Sequence, residues 1–207
     1  MNINYHKICL EEISKLEKVP TILLHSCCAP CSSYVISFLS QYFNITILYY
    51  NPNISPQEEY EKRKKEQIRL IKELKTKNKL DYLDCDYDNE LYNELIKGYE
   101  TESEGGSRCS ICFKMRLEKT AKLAKENNYD YYCSTLTVSP HKNSKTINEI
   151  GETIANKHNI KWLYSDFKKN EGFKQSITLS KKYDLYRQDY CGCIYSKKAK
   201  EKQEILN

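Results

Sequence analysis

Neither of two familiar phosphate-binding signatures occurs in this 207-residue chain. There is no G-x-G-x-x-G after a strand and no G-x-x-x-x-G-K-[ST] loop. Gly105-Gly106 precedes a helix, but a lone glycine pair is weak evidence for an anion site. An ATP-dependent chemistry is therefore disfavoured. No apolar run approaches the ~20 residues of a membrane span, so no membrane partner is expected. Met1 to Lys18 mixes polar and apolar side chains, without an uninterrupted apolar core or cleavage-site pattern, so no secretory leader is expected. Internal repeats and long low-complexity stretches are absent too.

What is abundant is cysteine, with ten residues. In a chain expected to be cytoplasmic, and so in a reducing compartment, dense cysteines point to metal or redox chemistry more than to a disulfide scaffold. Cys9, Cys85 and Cys133 stand singly and read as buried free thiols. The net charge of +5, from 33 basic and 28 acidic residues, is compatible with a polyanionic partner without demanding one. Eighteen tyrosines suit both half-buried packing and stacking on bases.

Strand-like and helical patterns alternate along the chain, which predicts an α/β domain with a mainly parallel sheet and helices on both faces. The expected strands are Thr21–Leu24, Ile45–Tyr50, Leu80–Cys85, Asp130–Cys133 and Ile160–Tyr164. Helices are expected at Ile3–Leu16, Ser33–Tyr42, about Ser55–Lys75, Asn89–Lys97, from about Arg108, from Ser144, and at about Asn170–Lys182. Ser55-Pro56-Gln57-Glu58 reads as a capping box. One domain over residues 1–207 is the economical division, with a C-terminal motif segment at about 183–196 and a lysine-rich tail.

The chemistry-bearing stretch is His25-Ser26-Cys27-Cys28-Ala29-Pro30-Cys31-Ser32, at the end of the first strand. In such folds ligands gather outside the carboxyl ends of strands. Downstream, Cys109-x-x-Cys112 opens a helix whose apolar period runs through Phe113, Leu117, Ala121 and Ala124. Soft thiolates at this density suit zinc or an iron–sulfur cluster. The wide separation of the pairs and the adjacent Cys27-Cys28 put iron–sulfur ahead, with zinc still open. Cys191-Gly192-Cys193 is a second redox candidate, since glycine permits the tight backbone of a short, easily reduced bridge; Arg187 nearby would favour thiolate. His25, Tyr50, Asp189 or a water are the candidate proton donors.

Taken in order, these motifs resemble the QueH-type epoxyqueuosine reductases. The others that carry the likeness are Tyr50-Asn51-Pro52-Asn53-Ile54, Glu104 to Phe113, Ser134 to Pro140 with Lys142, and Tyr186 to Cys193. The resemblance runs from about residue 20 to 196. It implies a Rossmann-like fold of the nucleotide α-hydrolase type. It also implies reduction of epoxyqueuosine to queuosine at the wobble position of tRNA, without cobalamin. By the same resemblance, Cys27, Cys28, Cys109 and Cys112 would hold a 4Fe-4S cluster, and Cys191 with Cys193 would form a redox-active disulfide. Cys31 is placed to serve an additional iron, whose aspartate ligand the sequence does not name. An external electron donor is implied as a partner. Asn51, Asn53, Arg63, Arg108, Lys142, Tyr186, Arg187 and Tyr190 are the substrate-binding candidates. The alternative is a zinc-stabilised RNA-binding module without catalysis.

Overall fold

Thr21-Ile22-Leu23-Leu24-His25 is apolar on successive rather than alternate residues, the pattern of a parallel strand covered on both faces. In the computed structural model, which describes residues 3–205, it is the central strand of one sheet. The strands are β1 Thr21–His25, β2 Asn44–Leu48, β3 Leu80–Leu83, β4 Tyr131–Ser134 and β5 Lys161–Trp162. All pair parallel, in the spatial order β3-β2-β1-β4-β5. The helices are α1 Tyr5–Ser14, α2 Ala29–Leu39, α3 Gln57–Glu73, α4 Asn89–Leu95, α5 Ser107–Glu126, α6 Ser144–His158, α7 Gly172–Lys182 and α8 Ile194–Ile205. A 3-10 helix spans Thr135–Val138.

Side chains alternate across the sheet, so each strand feeds two cores. Ile22 and Leu24 join Val35, Ile36 and Leu39 of α2 and Leu70 of α3. Leu23 points the other way, to Leu117, Ala121 and Ala124 of α5 and Ile147 and Ile154 of α6. Leu23 and Leu24 are fully buried, and truncating either to alanine costs about 2–5 kcal/mol. The expected three-layer α/β architecture is present. Because β1 has β2 on one side and β4 on the other, with His25 opposite both Leu48 and Ser134, the chain order reverses there. A crevice opens at such a switch point, and the thiol motif follows β1 directly into it.

Several local expectations need correction. α2 begins at Ala29, not Ser33, because Pro30 fits the first turn of a helix; the cluster is thereby part of the helix start, with Cys28 at the N-cap. Ser55 does not cap α3. Pro56 occupies that position, and the Ser55 backbone is instead engaged by the C-terminal segment, its N–H donating to the Gly192 carbonyl at 3.0 Å. Asn143, rather than Ser144, caps α6, while Ser144 donates to Asp166. The lysine-rich tail is helical as α8, with Lys200 paired to Asp189 and Glu204. Cys9 and Cys133 are buried as expected, whereas Cys85 is only half-buried.

Candidate metal centre and adjoining thiol pair

The loop after β1 is held from three directions. Ser26 and Ser32 both donate to Gln67 Oε1 of α3, at 2.6 and 2.9 Å. Asn51, beyond β2, donates to the Ser26 carbonyl at 2.8 Å. Thr135, beyond β4, accepts from the Cys27 N–H at 3.2 Å and donates to its Sγ at 3.4 Å. Beneath them His25 is fully buried. Its Nε2 lies 3.0 Å from the Tyr50 carbonyl, which can only accept, so Nε2 carries the proton and Nδ1 accepts from Ser134 at 2.8 Å. Burial and the nearby Arg116 charge drive its pKa down to about 3. A neutral imidazole with both nitrogens engaged is a strut between strand ends. The other proton-donor candidates are also engaged, Tyr50 donating to Asp88 at 2.8 Å and Asp189 paired with Lys200.

Three sulfurs meet on this loop. The Sγ atoms of Cys27, Cys28 and Cys31 lie within 4.8 Å of one another, Cys27 and Cys28 at 3.9 Å. Hydrogen bonds from Cys28 and Cys31, with help from Lys142 and Thr135, hold the Cys27 thiol well below its ordinary value despite burial. The cost falls on its neighbours: donating to Cys27 pushes Cys28 up to about 12 and raises Cys31 as well. The trio thus shares one readily formed negative charge.

A second thiol group forms where α5 begins. Gly105, at φ +94°, turns its N–H onto Cys109 Sγ at 3.2 Å. Cys112 is buried against Cys193, Tyr92 and Ile96, and burial pushes its thiol up to about 12. Gly192 carries the chain between Cys191 and Cys193 at φ +126°, a conformation that favours glycine. The segment is tied to α3. Arg63 donates to the Cys191 carbonyl at 3.3 Å while bonded to Glu59 at 2.7 Å, and the Tyr186 N–H donates to Glu66 at 2.7 Å. All ten cysteines are free thiols.

Two cavities connect these groups. The larger, about 780 Å³, is lined by Cys27, Cys31 and Cys191 together with Asn51, Lys142, Arg187, Asp189 and Tyr190. The smaller, about 90 Å³, is lined by Cys109, Cys112, Cys191 and Cys193, with Asn53 and Arg108. Cys191, Lys142 and Arg116 belong to both. Most of the expected residues line these two cavities, whereas Cys28, Arg63 and Tyr186 line neither. Among the described residues the sulfurs close enough to one another to share a metal ion are those of Cys27, Cys28 and Cys31, and Cys109 and Cys112 stand outside that group. Arg108 is nearly buried and donates to the carbonyls of Tyr99, Glu100 and Glu102, which folds the loop ahead of Cys109. Arg187 donates to Ser180. The cations that oppose the burial-driven rise of the Cys191 thiol are Lys142 and Arg116.

The family model for "Epoxyqueuosine reductase QueH" matches residues 22–199. The chain belongs to that family. Among its relatives is the epoxyqueuosine reductase QueH of Streptococcus pyogenes, 44% identical over 202 residues, covering 95% of this chain and 79% of that one. The QueH of Staphylococcus epidermidis is 45% identical over 201 residues (94% and 84%), and that of Thermotoga maritima 33% identical over 179 residues (85% and 90%). Among solved structures, the U34-tRNA thiolase NcsA from Methanococcus maripaludis with its [4Fe-4S] cluster superposes with a TM-score of 0.55 at 12% identity, over 93% of this chain and 67% of that one. At that identity the likeness concerns the fold. The QueH match begins inside β1 and ends inside α8, so it takes in every cysteine of both groups.

Arg116, Thr135 and Gln67 are site residues to which the sequence assigned no role. Arg116 stands four residues after Cys112 and seven after Cys109 on α5, one helical face. That spacing was the available signal. Thr135 lies within the Ser134 to Pro140 motif but was given no role of its own, and Gln67 reaches the loop through tertiary packing and left no signal.

Proposed function

We propose that this chain reduces epoxyqueuosine at the wobble position of tRNA to queuosine, with a 4Fe-4S cluster and the Cys191–Cys193 pair as its redox groups. Membership of the QueH family supports the reaction. The observation that carries the chemistry is the meeting of two thiol groups, from segments far apart in sequence, on adjoining cavities that share Cys191, Lys142 and Arg116. Buried soft donors with an unpartnered guanidinium Nη2 beside them fit an anionic metal–sulfur group. Cys27, Cys28, Cys109 and Cys112 would hold it, with Cys31 at hand for a further iron. When bound, it supplies electrons singly and a Lewis-acidic iron.

The remaining work belongs to the chain. Converting an epoxide to an alkene consumes two electrons and two protons and releases water. Oxidation of the Cys191 and Cys193 thiols to a disulfide yields two electrons and two protons, so one turnover balances. An external two-electron donor then restores the dithiol. The larger cavity has room for a splayed nucleoside, with the Tyr190 ring and Arg187 on its wall for stacking and phosphate contact.

The test is to incubate anaerobically isolated protein, a strong reductant and tRNA carrying epoxyqueuosine, and to follow the nucleosides by mass spectrometry. Loss of epoxyqueuosine with matching gain of queuosine is expected, and lost turnover in Cys191→Ser. Iron-loaded protein that converts none would overturn the reaction. A second reading, a zinc-stabilised RNA-binding module, is favoured by the compact Cys27, Cys28, Cys31 trio. It predicts colourless protein whose metal survives air and whose fold is lost on chelation.

A further inference from the structure

Arg116 is 2% exposed. Its Nε donates to the Cys112 carbonyl at 3.3 Å and its Nη1 to Asn51 Oδ1 at 3.2 Å. Asn51 in turn holds the Ser26 carbonyl, so the guanidinium is pinned between α5 and the loop that carries Cys27. The Phe113 ring lies against it, 5.7 Å from Cζ to centroid. Nη2 has no hydrogen-bond partner. Lys142 faces the same two cavities. Among the described residues no ion pair joins either cation to a carboxylate. The acidic side chains on these walls are Glu104, which is exposed, and Asp189, which is paired with Lys200.

A buried charge without a counter-charge is costly. What faces it here is sulfur: the two cavities that Arg116 and Lys142 line carry Cys27, Cys31, Cys109, Cys112, Cys191 and Cys193. A backbone phosphate is a poor alternative, because so little of Arg116 reaches solvent. We infer that Arg116, with Lys142 beside it, is the fixed counter-charge of the sulfur site: its free Nη2 donates to negative charge borne on the sulfurs, and the positive field makes the redox centre easier to reduce. This rests on the proposed function and assigns Arg116 a positioning and electrostatic role in it. A positive charge held close to a centre stabilises the form richer in electrons, and low local dielectric enlarges the effect.

The test compares full-length, anaerobically isolated wild type with Arg116→Met, Arg116→Lys and Lys142→Met. Iron and sulfide content, midpoint potential by spectroelectrochemical titration, and tRNA affinity are measured for each. Arg116→Met is expected to lower the potential, Arg116→Lys to restore most of it, and Lys142→Met to shift it the same way by less. Arg116→Met with wild-type iron and unchanged potential overturns the inference. So does weakened tRNA affinity at unchanged potential, which would make Arg116 a substrate-anion site. If Arg116→Met does not fold, Lys142→Met decides, since Lys142 lies in a loop outside the regular elements; an unshifted potential there overturns the inference. If wild type binds no iron, the cluster in the proposed function fails separately. The same variants are then read on the Cys191–Cys193 couple in a dithiol redox buffer. A shift toward disulfide in the methionine variants supports the counter-charge, and an unchanged equilibrium overturns it.

Discussion

Gly192→Ala probes how the thiol pair is held. Gly192 sits at φ +126°, and an added Cβ would lie 2.9 Å from Ile54 Cγ1 and 3.1 Å from Arg63 Nη1. The backbone term alone is about 1–3 kcal/mol, or roughly 5- to 150-fold in a two-state equilibrium. The side-chain term adds to it, because Arg63 Nη1 also donates to the Cys191 carbonyl, and pushing the guanidinium away weakens that tie. The strain falls on a short segment tied to α3 by a few hydrogen bonds, so it is relieved most cheaply by local opening rather than by global unfolding. Cys193, only 7% exposed, should then be alkylated faster by about the same 5- to 150-fold, measured by peptide mass after timed labelling under native conditions. Gly151→Ala is the control. Its added Cβ would meet the Trp162 ring, in a cluster separate from the one that covers Cys193. It should cost stability and leave Cys193 protected. Unchanged Cys193 protection in Gly192→Ala would refute this account of the segment.

Two further substitutions test other parts. Glu66 takes Arg69 at 2.7 and 3.0 Å and the Tyr186 N–H at 2.7 Å, and these contacts, Arg69 foremost, hold its carboxyl below the ordinary 4.5. A depressed carboxylate stabilises the fold above its unfolded pKa and loses that contribution as pH falls through the folded one. Glu66→Gln should therefore cost about 1 kcal/mol near neutrality, after allowance for solvent screening of the half-exposed Arg69. By chemical denaturation the gap should close below pH 4.5; a gap that persists or widens there contradicts the assignment. Gly151→Ala would place a Cβ 2.4 Å from Trp162 Cε2, on a ring already held by Asn148 at 3.0 Å. Overpacking of this kind costs about 1–3 kcal/mol, a Tm fall of about 2–4 °C for each, and an unshifted Tm would mean the α6–β5 contact is looser than described.

Much of this arrangement was legible from residue order. The unbroken apolar run of β1 announced a strand covered on both faces, and a thiol motif directly after it had to lie at the carboxyl edge of the sheet. The period through Phe113, Leu117, Ala121 and Ala124 placed Cys109 and Cys112 at a helix start. What was hidden depended on partners distant in sequence. Ser55 has the residues of a cap, but its N–H and carbonyl meet Gly192 and Tyr190, about 135 positions later. Arg63 lies in the polar half of α3 and reads as a substrate-binding cation; in the fold it is 2% exposed and braces Cys191. The first helical turns of α8 pack through Ser196 and Tyr195, the latter against Arg108, and a run so rich in lysine offers no apolar period to announce a helix.

The central claim is that sulfurs supplied by β1's end and by α5 hold one metal–sulfur centre. Iron and acid-labile sulfide per chain, measured on anaerobically isolated wild type and Cys109→Ser side by side, test it most directly. The account predicts about four of each in the wild type and a clear loss in the variant with the fold intact. Wild-type protein containing zinc alone, or a Cys109→Ser variant that keeps its full complement of iron and sulfide, would contradict it.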